Sequence, residues 1–347
     1  MKGFLYFAHP GNLDMRTGGY GYDRRVINAL RDLGWDIKVL PLGDGFPDPT
    51  LQQLRHAEDV LSILPDGATV VVDGLAYGLL DGWASKQSIR LKLFALVHHP
   101  LALETGIAPR RRAKLLRHER AALSYAHGVV VTSHATAREL RNNYDVMRSR
   151  IVVAHPGVDA APLAIGTGDP VRLLSVGSLT HRKGHDVLIA SLCLLRDLPW
   201  ICRIVGSEIM DPKVAGELDT MIGEALLRER VILAGEMENL SDEFDQADVF
   251  VLASRYEGYG MAFAEAMVRG LPVVGCAVGA VSEVVPQSAG ILVEPNDPVS
   301  FADALRRLLV EPHTRSKMAD AAAAVGRALP SWQETATKIA EFLDERT

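Results

Sequence analysis

Cysteine is scarce in this chain. Cys193, Cys202 and Cys276 lie far apart with no CxxC pair, in segments that read as a helix and two strands. Small buried hydrophobes are therefore expected, rather than a disulfide framework or metal ligands, and a reducing cytoplasm fits. Positive charge is also short: 37 Lys and Arg against 43 Asp and Glu leave a net charge of −6. That argues against nucleic acid as a partner, because bulk binding needs a basic surface to displace counterions. No run of 18 apolar residues occurs, so no membrane-spanning helix is expected. The N-terminal "MKGFLYFAHPG" has one lysine and an apolar run that stops at His9 and Pro10, too short for a secretory signal. Two phosphate signatures are missing as well. There is no GxxxxGK[ST], and "GGYGYD" at 18–23 has Arg24 at the third glycine position of a dinucleotide fingerprint. Neither a P-loop nor a nicotinamide enzyme is expected.

What is present points to a soluble, folded, two-domain protein. At 347 residues, with 48% hydrophobic and 23% charged residues, the chain can build about two ordinary cores. Short apolar runs alternate with helix-period segments from end to end. The first half has them at 3–8, 36–40, 68–73, 91–97, 128–133 and 151–154, and the second at 171–176, 200–205, 231–235, 247–253, 271–276 and 290–293. Runs rich in Val, Ile and Leu, apolar on both faces and separated by helices, are what a buried parallel sheet requires. The aperiodic "PGVDAAPLAIGTGDP" at 156–170 reads as a linker between two doubly wound α/β domains. Ligands of such sheets sit beyond the carboxyl ends of the strands, so a cleft between two domains is the expected place for two substrates.

Two stretches carry the chemistry. "ASRYEGYGMAFAEAM" at 253–267 reads as the end of a strand, a loop over 254–260 and a helix from Met261 to Arg269, stopped by Gly270 and Pro272. Glu257 falls at the strand's carboxyl end. Gly258 and Gly260 let the backbone approach a ligand and leave unpaired amides at the helix N-terminus, which suits a phosphate or sugar hydroxyls. Glu265 stands one turn into that helix between Ala264 and Ala266, where small neighbours let it point along the helix toward vicinal hydroxyls rather than into solvent. The plain alternative is one surface glutamate and one N-terminal helix acid. In "VRLLSVGSLTHRKGHDVLIASL", Gly177 and Gly184 bracket a loop with Arg182 and Lys183 just ahead of a helix. Cations beside helix N-terminal amides make an anion site, most naturally for a diphosphate; a solvated basic loop is the alternative.

"EGYGMAFAEA" resembles the E-x7-E motif of the retaining glycosyltransferases of family 4, which have the GT-B architecture: two Rossmann-like domains facing across a cleft, acceptor on the N-terminal one and nucleotide-sugar donor on the C-terminal one. The resemblance covers nearly the whole chain. "TGGYGYDRRVINALRDLGWDI" is similar to the family's glycine loop and first helix, "ALVHH" to its mid-domain histidine strand, "VVVTSHATARELRN" and "HPGVD" to the segments before the linker, and "VGSLTHRKGHDVLI" to its diphosphate loop. The last helix, from Ser331, resembles the one that crosses back onto the N-terminal domain. The implied domains are 1–163 with 331–347, and 164–330.

The resemblance implies roles. Glu265 would bind the ribose of the donor nucleotide, and Glu257 the transferred sugar, on the face where charge develops at C1. Gly258, Tyr259, Gly260 and Met261 would offer backbone amides, Lys183 would hold the diphosphate beside Gly177, and His98 or His99 would face the sugar. Gly18 and Gly19 would line the acceptor side. Ser178 stands where the family usually has an arginine, so Arg182 is expected to supply that cation. The implied donor is a UDP- or GDP-sugar, with no other cofactor and no obligatory metal; the acceptor is unidentified, with lipid-linked ones among the candidates. A nucleotide-sugar epimerase, a glycosyl phosphorylase and a non-catalytic nucleotide or carbohydrate binder remain as alternatives. Six Lys or Arg lie between 110 and 120 over an apolar stripe of Leu115, Leu116, Ala122, Leu123 and Ala126. A solvated helix face is the first reading, and peripheral contact with the inner membrane face or an anionic lipid acceptor the second.

Overall fold

The computed structural model describes residues 3–166 and 168–346. It divides into two compact units, Met1–Gly157 with Pro330–Thr347, and Val158–Leu329. Every apolar run named above carries a strand. The first unit holds β1 (Gly3–His9), β2 (Trp35–Pro41), β3 (Thr69–Asp73), β4 (Lys92–Val97), β5 (Gly128–Val131) and β6 (Ile151–Val153). They form a parallel six-stranded sheet in the order β2-β1-β3-β4-β5-β6. The second unit holds β7 (Val171–Val176), β8 (Trp200–Val205), β9 (Val231–Leu233), β10 (Val249–Leu252), β11 (Val273–Cys276) and β12 (Gly290–Val293). Its six parallel strands run in the order β12-β11-β10-β7-β8-β9.

The apolar runs become strands because both faces of each sheet are covered. All five residues of β3, TVVVD, are buried. On β10, Val249 and Val251 enter a core with Leu188 and Phe301, whereas Phe250 and Leu252 enter another with Phe263 and Met267. Side chains of a strand alternate between faces, so such a strand has no room for a polar interruption. Cys202 and Cys276 lie inside this packing, and burial pushes both thiols up to about 12.

The strand orders locate the sites. In the first sheet the order of the strands reverses between β1 and β3, and in the second between β7 and β10. The loops leaving the carboxyl ends of such a strand pair diverge to opposite faces and open a crevice there. The last helix, Trp332–Asp344, opens with a capping box between Ser331 and Glu334 and packs on the first unit. Its Phe342 meets Phe94 of β4 edge-on at 6.0 Å, and its Trp332 meets Tyr22 at 5.7 Å.

Candidate functional site

In the second unit, the loop after β7 and the loop after β10 come together at the switch point. Lys183 Nζ donates to Glu257 Oε1 at 2.6 Å, and Ser254 Oγ donates to the same oxygen at 2.7 Å. Arg182 Nη1 donates to the Tyr256 carbonyl at 3.0 Å and lies 3.5 Å from Glu257 Oε2. Burial alone would raise the Glu257 carboxyl. Lys183, then Arg182, then the hydrogen bonds from Lys183 and Ser254 outweigh it and hold it down at about 2. Glu257 is thus a fixed anion at neutral pH, able to stabilise positive charge and unable to donate a proton.

Glycines make this approach feasible. Gly184 has φ 67°, and a Cβ there would stand 1.9 Å from the Ala253 carbonyl at the end of β10. A Cβ on Gly177 would stand 3.1 Å from Lys183 Cδ, so the lysine stem lies against that glycine. The helix His185–Cys193 begins directly after Gly184. His185 is buried, which lowers its pKa to about 4, and its neutral ring donates from Nε2 to the Gly177 carbonyl at 3.2 Å. Ser178 is in this loop, beside Gly177. Gly260, with φ 98°, opens the helix Met261–Val268. Tyr259 is buried, Gly258 and Met261 are half-buried, and Glu265 is half-buried between the buried Ala264 and Ala266.

One clamp at this site was missed in the sequence. Arg255 donates to Asp186 through Nη1 at 2.9 Å and Nη2 at 2.6 Å, to the His181 carbonyl at 2.6 Å, and to Asn296 Oδ1 at 2.6 Å. It ties the β10 loop to the Lys183 loop. The signal was a cation two residues before Glu257, in a loop already singled out.

The first unit carries a different cluster at its own switch point. His98 follows β4, and its Nε2 lies 3.0 Å from Asp23 Oδ1 and 3.7 Å from Asp73 Oδ2. Asp23 comes from the helix Gly18–Asp32 and Asp73 closes β3. Gly19 lies under the imidazole: a Cβ there would stand 3.3 Å from His98 Cδ2. The structure therefore joins Gly19 and His98, while Gly18 opens the same helix after the Thr17 cap. His99 goes elsewhere, with Nε2 3.5 Å from Glu104 Oε2. Asp23, Asp73 and His98 can each offer one ligand atom within 4.8 Å of the others, and they are the one such group among the described residues. Sequence reasoning overlooked both aspartates.

The basic helix, Pro109–Ser124, buries Leu115, Ala122 and Leu123 and exposes Arg112, Lys114, Arg117 and Arg120. Part of its charge is matched within the unit, by Asp48 on Arg111 and Asp145 on Arg120. Among the described residues no helix is long and apolar enough to cross a membrane.

Comparison with known proteins gives a consistent result. Residues 39–161 match the family described as Glycosyltransferase Family 4, and residues 164–325 that described as Glycosyl transferases group 1. The D-inositol 3-phosphate glycosyltransferase of Xylanimonas cellulosilytica is 28% identical over 293 residues, 77% of this chain and 69% of that one. The chain spans 57–69% of the length of three curated relatives of that description. Among solved structures, the sucrose-phosphate synthase of Thermosynechococcus elongatus superposes with a TM-score of 0.83 over 98% of both chains at 20% identity. Anabaena HepE, solved with UDP and glucose, gives 0.77 over 97% of this chain and 99% of that one at 16% identity. These likenesses establish the GT-B fold.

Proposed function

We propose that this chain, whose two halves match the models described as Glycosyltransferase Family 4 and Glycosyl transferases group 1, moves a sugar from a nucleoside diphosphate sugar, UDP- or GDP-linked, to an acceptor hydroxyl with retention of anomeric configuration. The observation that carries this reading is the Lys183–Glu257 pair at the β7/β10 switch point, with Arg182 beside it. Glycosyl transfer to a hydroxyl leaves a nucleoside diphosphate with extra negative charge and passes through an oxocarbenium-like centre. A cation pair at a helix N-terminus offsets the first, and a carboxylate that stays ionised stabilises the second. The donor diphosphate would draw Lys183 and Arg182, the amides of the Met261–Val268 helix would meet its oxygens, and Glu265 would take the ribose hydroxyls. Arg182 would supply the charge that Ser178 does not. In this reading the cations do the neutralising and no metal is required.

The acceptor is assigned to the first unit, around Gly19 and His98, and its identity is open between a glycan, a lipid and a small molecule. The test is a panel of UDP- and GDP-sugars incubated with simple sugar, polyol and lipid acceptors, followed by NMR of the product's anomeric proton. An α-linked product from an α-linked donor is expected. A β-linked product would overturn retention. Conversion of donor without acceptor would favour an epimerase, dependence on inorganic phosphate a phosphorylase, and donor binding without turnover a binder.

A further inference from the structure

Asp23 and Asp73 are wholly buried, at 0% and 1% side-chain exposure, and flank the Nε2 edge of His98, which keeps 18% exposure. Asp73 Oδ1 accepts from the Leu75 amide at 2.7 Å, but Oδ2 of each aspartate is buried with no hydrogen-bond partner. Two adjacent carboxylates in such a place cannot both ionise beside one imidazole, because their repulsion adds to the cost of burying each charge. A proton on Asp73 gives its Oδ2 a donor and leaves one anion facing one imidazolium. Tyr20 and Tyr22 of the Gly18–Asp32 helix feel the trio's aspartates, and Tyr20 also feels Asp44 from the loop after β2. Burial first, then Asp73, Asp23 and Asp44, pushes the Tyr20 phenol up to about 12, and burial, then Asp23, raises Tyr22 well above its ordinary value, so both phenols stay neutral.

We propose that Asp23 and Asp73 are positioning residues for His98: the pair holds one negative charge and one proton, anchors Nε2–H, and leaves Nδ1 as the ring nitrogen that meets the substrate. Three observations support this arrangement. Nδ1 of His98 has no hydrogen-bond partner among the described residues. The ring is fixed on one side by Gly19 and at its edge by Tyr22, whose centroid is 5.3 Å away. The His98 carbonyl is held by Thr132 Oγ1 at 3.1 Å. Burial opposes charge on the imidazole, and Asp23, through its charge and its hydrogen bond, leads the groups that raise its pKa. What His98 does with that proton rests on the proposed transfer reaction; the charge state of the trio does not.

The test is long-range 1H–15N correlation of the His98 ring in the full chain from pH 5.5 to 9.5, with His98→Gln giving the assignment. The wild type should show a protonated Nε2 at every pH and a titration above that of the exposed histidines. Asp73→Asn keeps a neutral hydrogen-bonding group and should move the titration by less than about 0.3 pH unit. Asp23→Asn removes the one charge and should lower it by about 1 pH unit or more. Should either variant fail to fold, the wild-type tautomer and titration still decide. An Nδ1–H tautomer, a titration below that of exposed histidines, or equal shifts in the two variants would overturn the proposal. So would selective broadening of the His98 signals by micromolar Mn2+, which would make the trio a cation site. Adding UDP and GDP in the same tubes separates this from the functional reading. A nucleotide that fails to bind sinks the transferase while leaving the trio's titration to stand or fall alone.

Discussion

Glu257 and Asp73 are both buried carboxyls at the switch point of a parallel sheet, and their surroundings drive them in opposite directions. At β7/β10 two cations reach Glu257 and hold it ionised, down at about 2. At β1/β3, burial and the neighbouring Asp23 push Asp73 up to about 8, although His98 and the Leu75 amide pull the other way. The same side-chain chemistry thus becomes a fixed anion in one unit and a proton holder in the other. Under the proposed reaction, a donor that departs as a diphosphate would call for the first, with its cations. The pH signs differ accordingly. Glu257 contributes stability that is fully present above the unfolded value near 4.3 and is lost as pH falls toward about 2. Asp73 retains a proton that the unfolded chain has released, so it lowers stability as pH rises from near 4 to about 8.

The strongest way to break this contrast is to remove a cation. Lys183→Met should cost roughly 2–4 kcal/mol of transition-state stabilisation, read as a 30- to 1000-fold fall in kcat/KM. It should also destabilise the fold by about 3 kcal/mol, because Glu257 would be left buried with less compensation. Adding Glu257→Gln should restore most of that stability and none of the activity. Independent, additive stability losses in a double-mutant cycle would show that the pair is not coupled.

The two glutamates should then separate. Glu265→Ala is expected to weaken nucleotide binding and raise KM, whereas Glu257→Ala lowers kcat, each by about 1.5–3 kcal/mol. Equal effects on KM with kcat intact would erase the distinction. Arg182→Ala should reduce kcat/KM at least about tenfold, and Ser178→Arg in that background should recover part of the loss. An unchanged kcat/KM in the single variant would make Arg182 a bystander.

The smallest effect sharpens the comparison on the first unit. Burial pushes Glu119 up to about 8 against hydrogen bonds from Leu101 and Tyr144. It therefore retains its proton between about pH 4.5 and 8, where the unfolded chain does not, and stability falls across that window. Glu119→Gln should raise Tm by about 3 °C at pH 8 and far less at pH 5. Equal shifts at both pH values would contradict this sign.

The strands were legible because a strand buried on both faces must be an unbroken apolar run, as in TVVVD of β3 and VFVL of β10. The Lys183 and Glu257 loops stood out because glycine, cation and acid sit within a few residues of one another. Asp23, Asp73 and Glu119 did not stand out. Asp23 and Asp73 meet only because β3 lies beside both β1 and β4, and sheet order is not written in local spacing. Asp73 did leave a trace, an acid closing a run of three valines, and Glu119 is an acid in a helix face otherwise read for its cations. Arg255 was hidden differently: its partners, Asp186 in the first turn of the His185–Cys193 helix and Asn296 in a loop, lie far away in the chain.

In the proposed function, the cationic switch point of the second unit binds the donor's diphosphate. Calorimetric titration of UDP and GDP into the wild-type chain and into Lys183→Ala at pH 7 tests it most directly. One nucleotide should bind per wild-type chain, with at least tenfold weaker binding, about 1.4 kcal/mol, in the variant. Equal affinity for the two proteins, or a wild type that binds neither nucleotide, would contradict it.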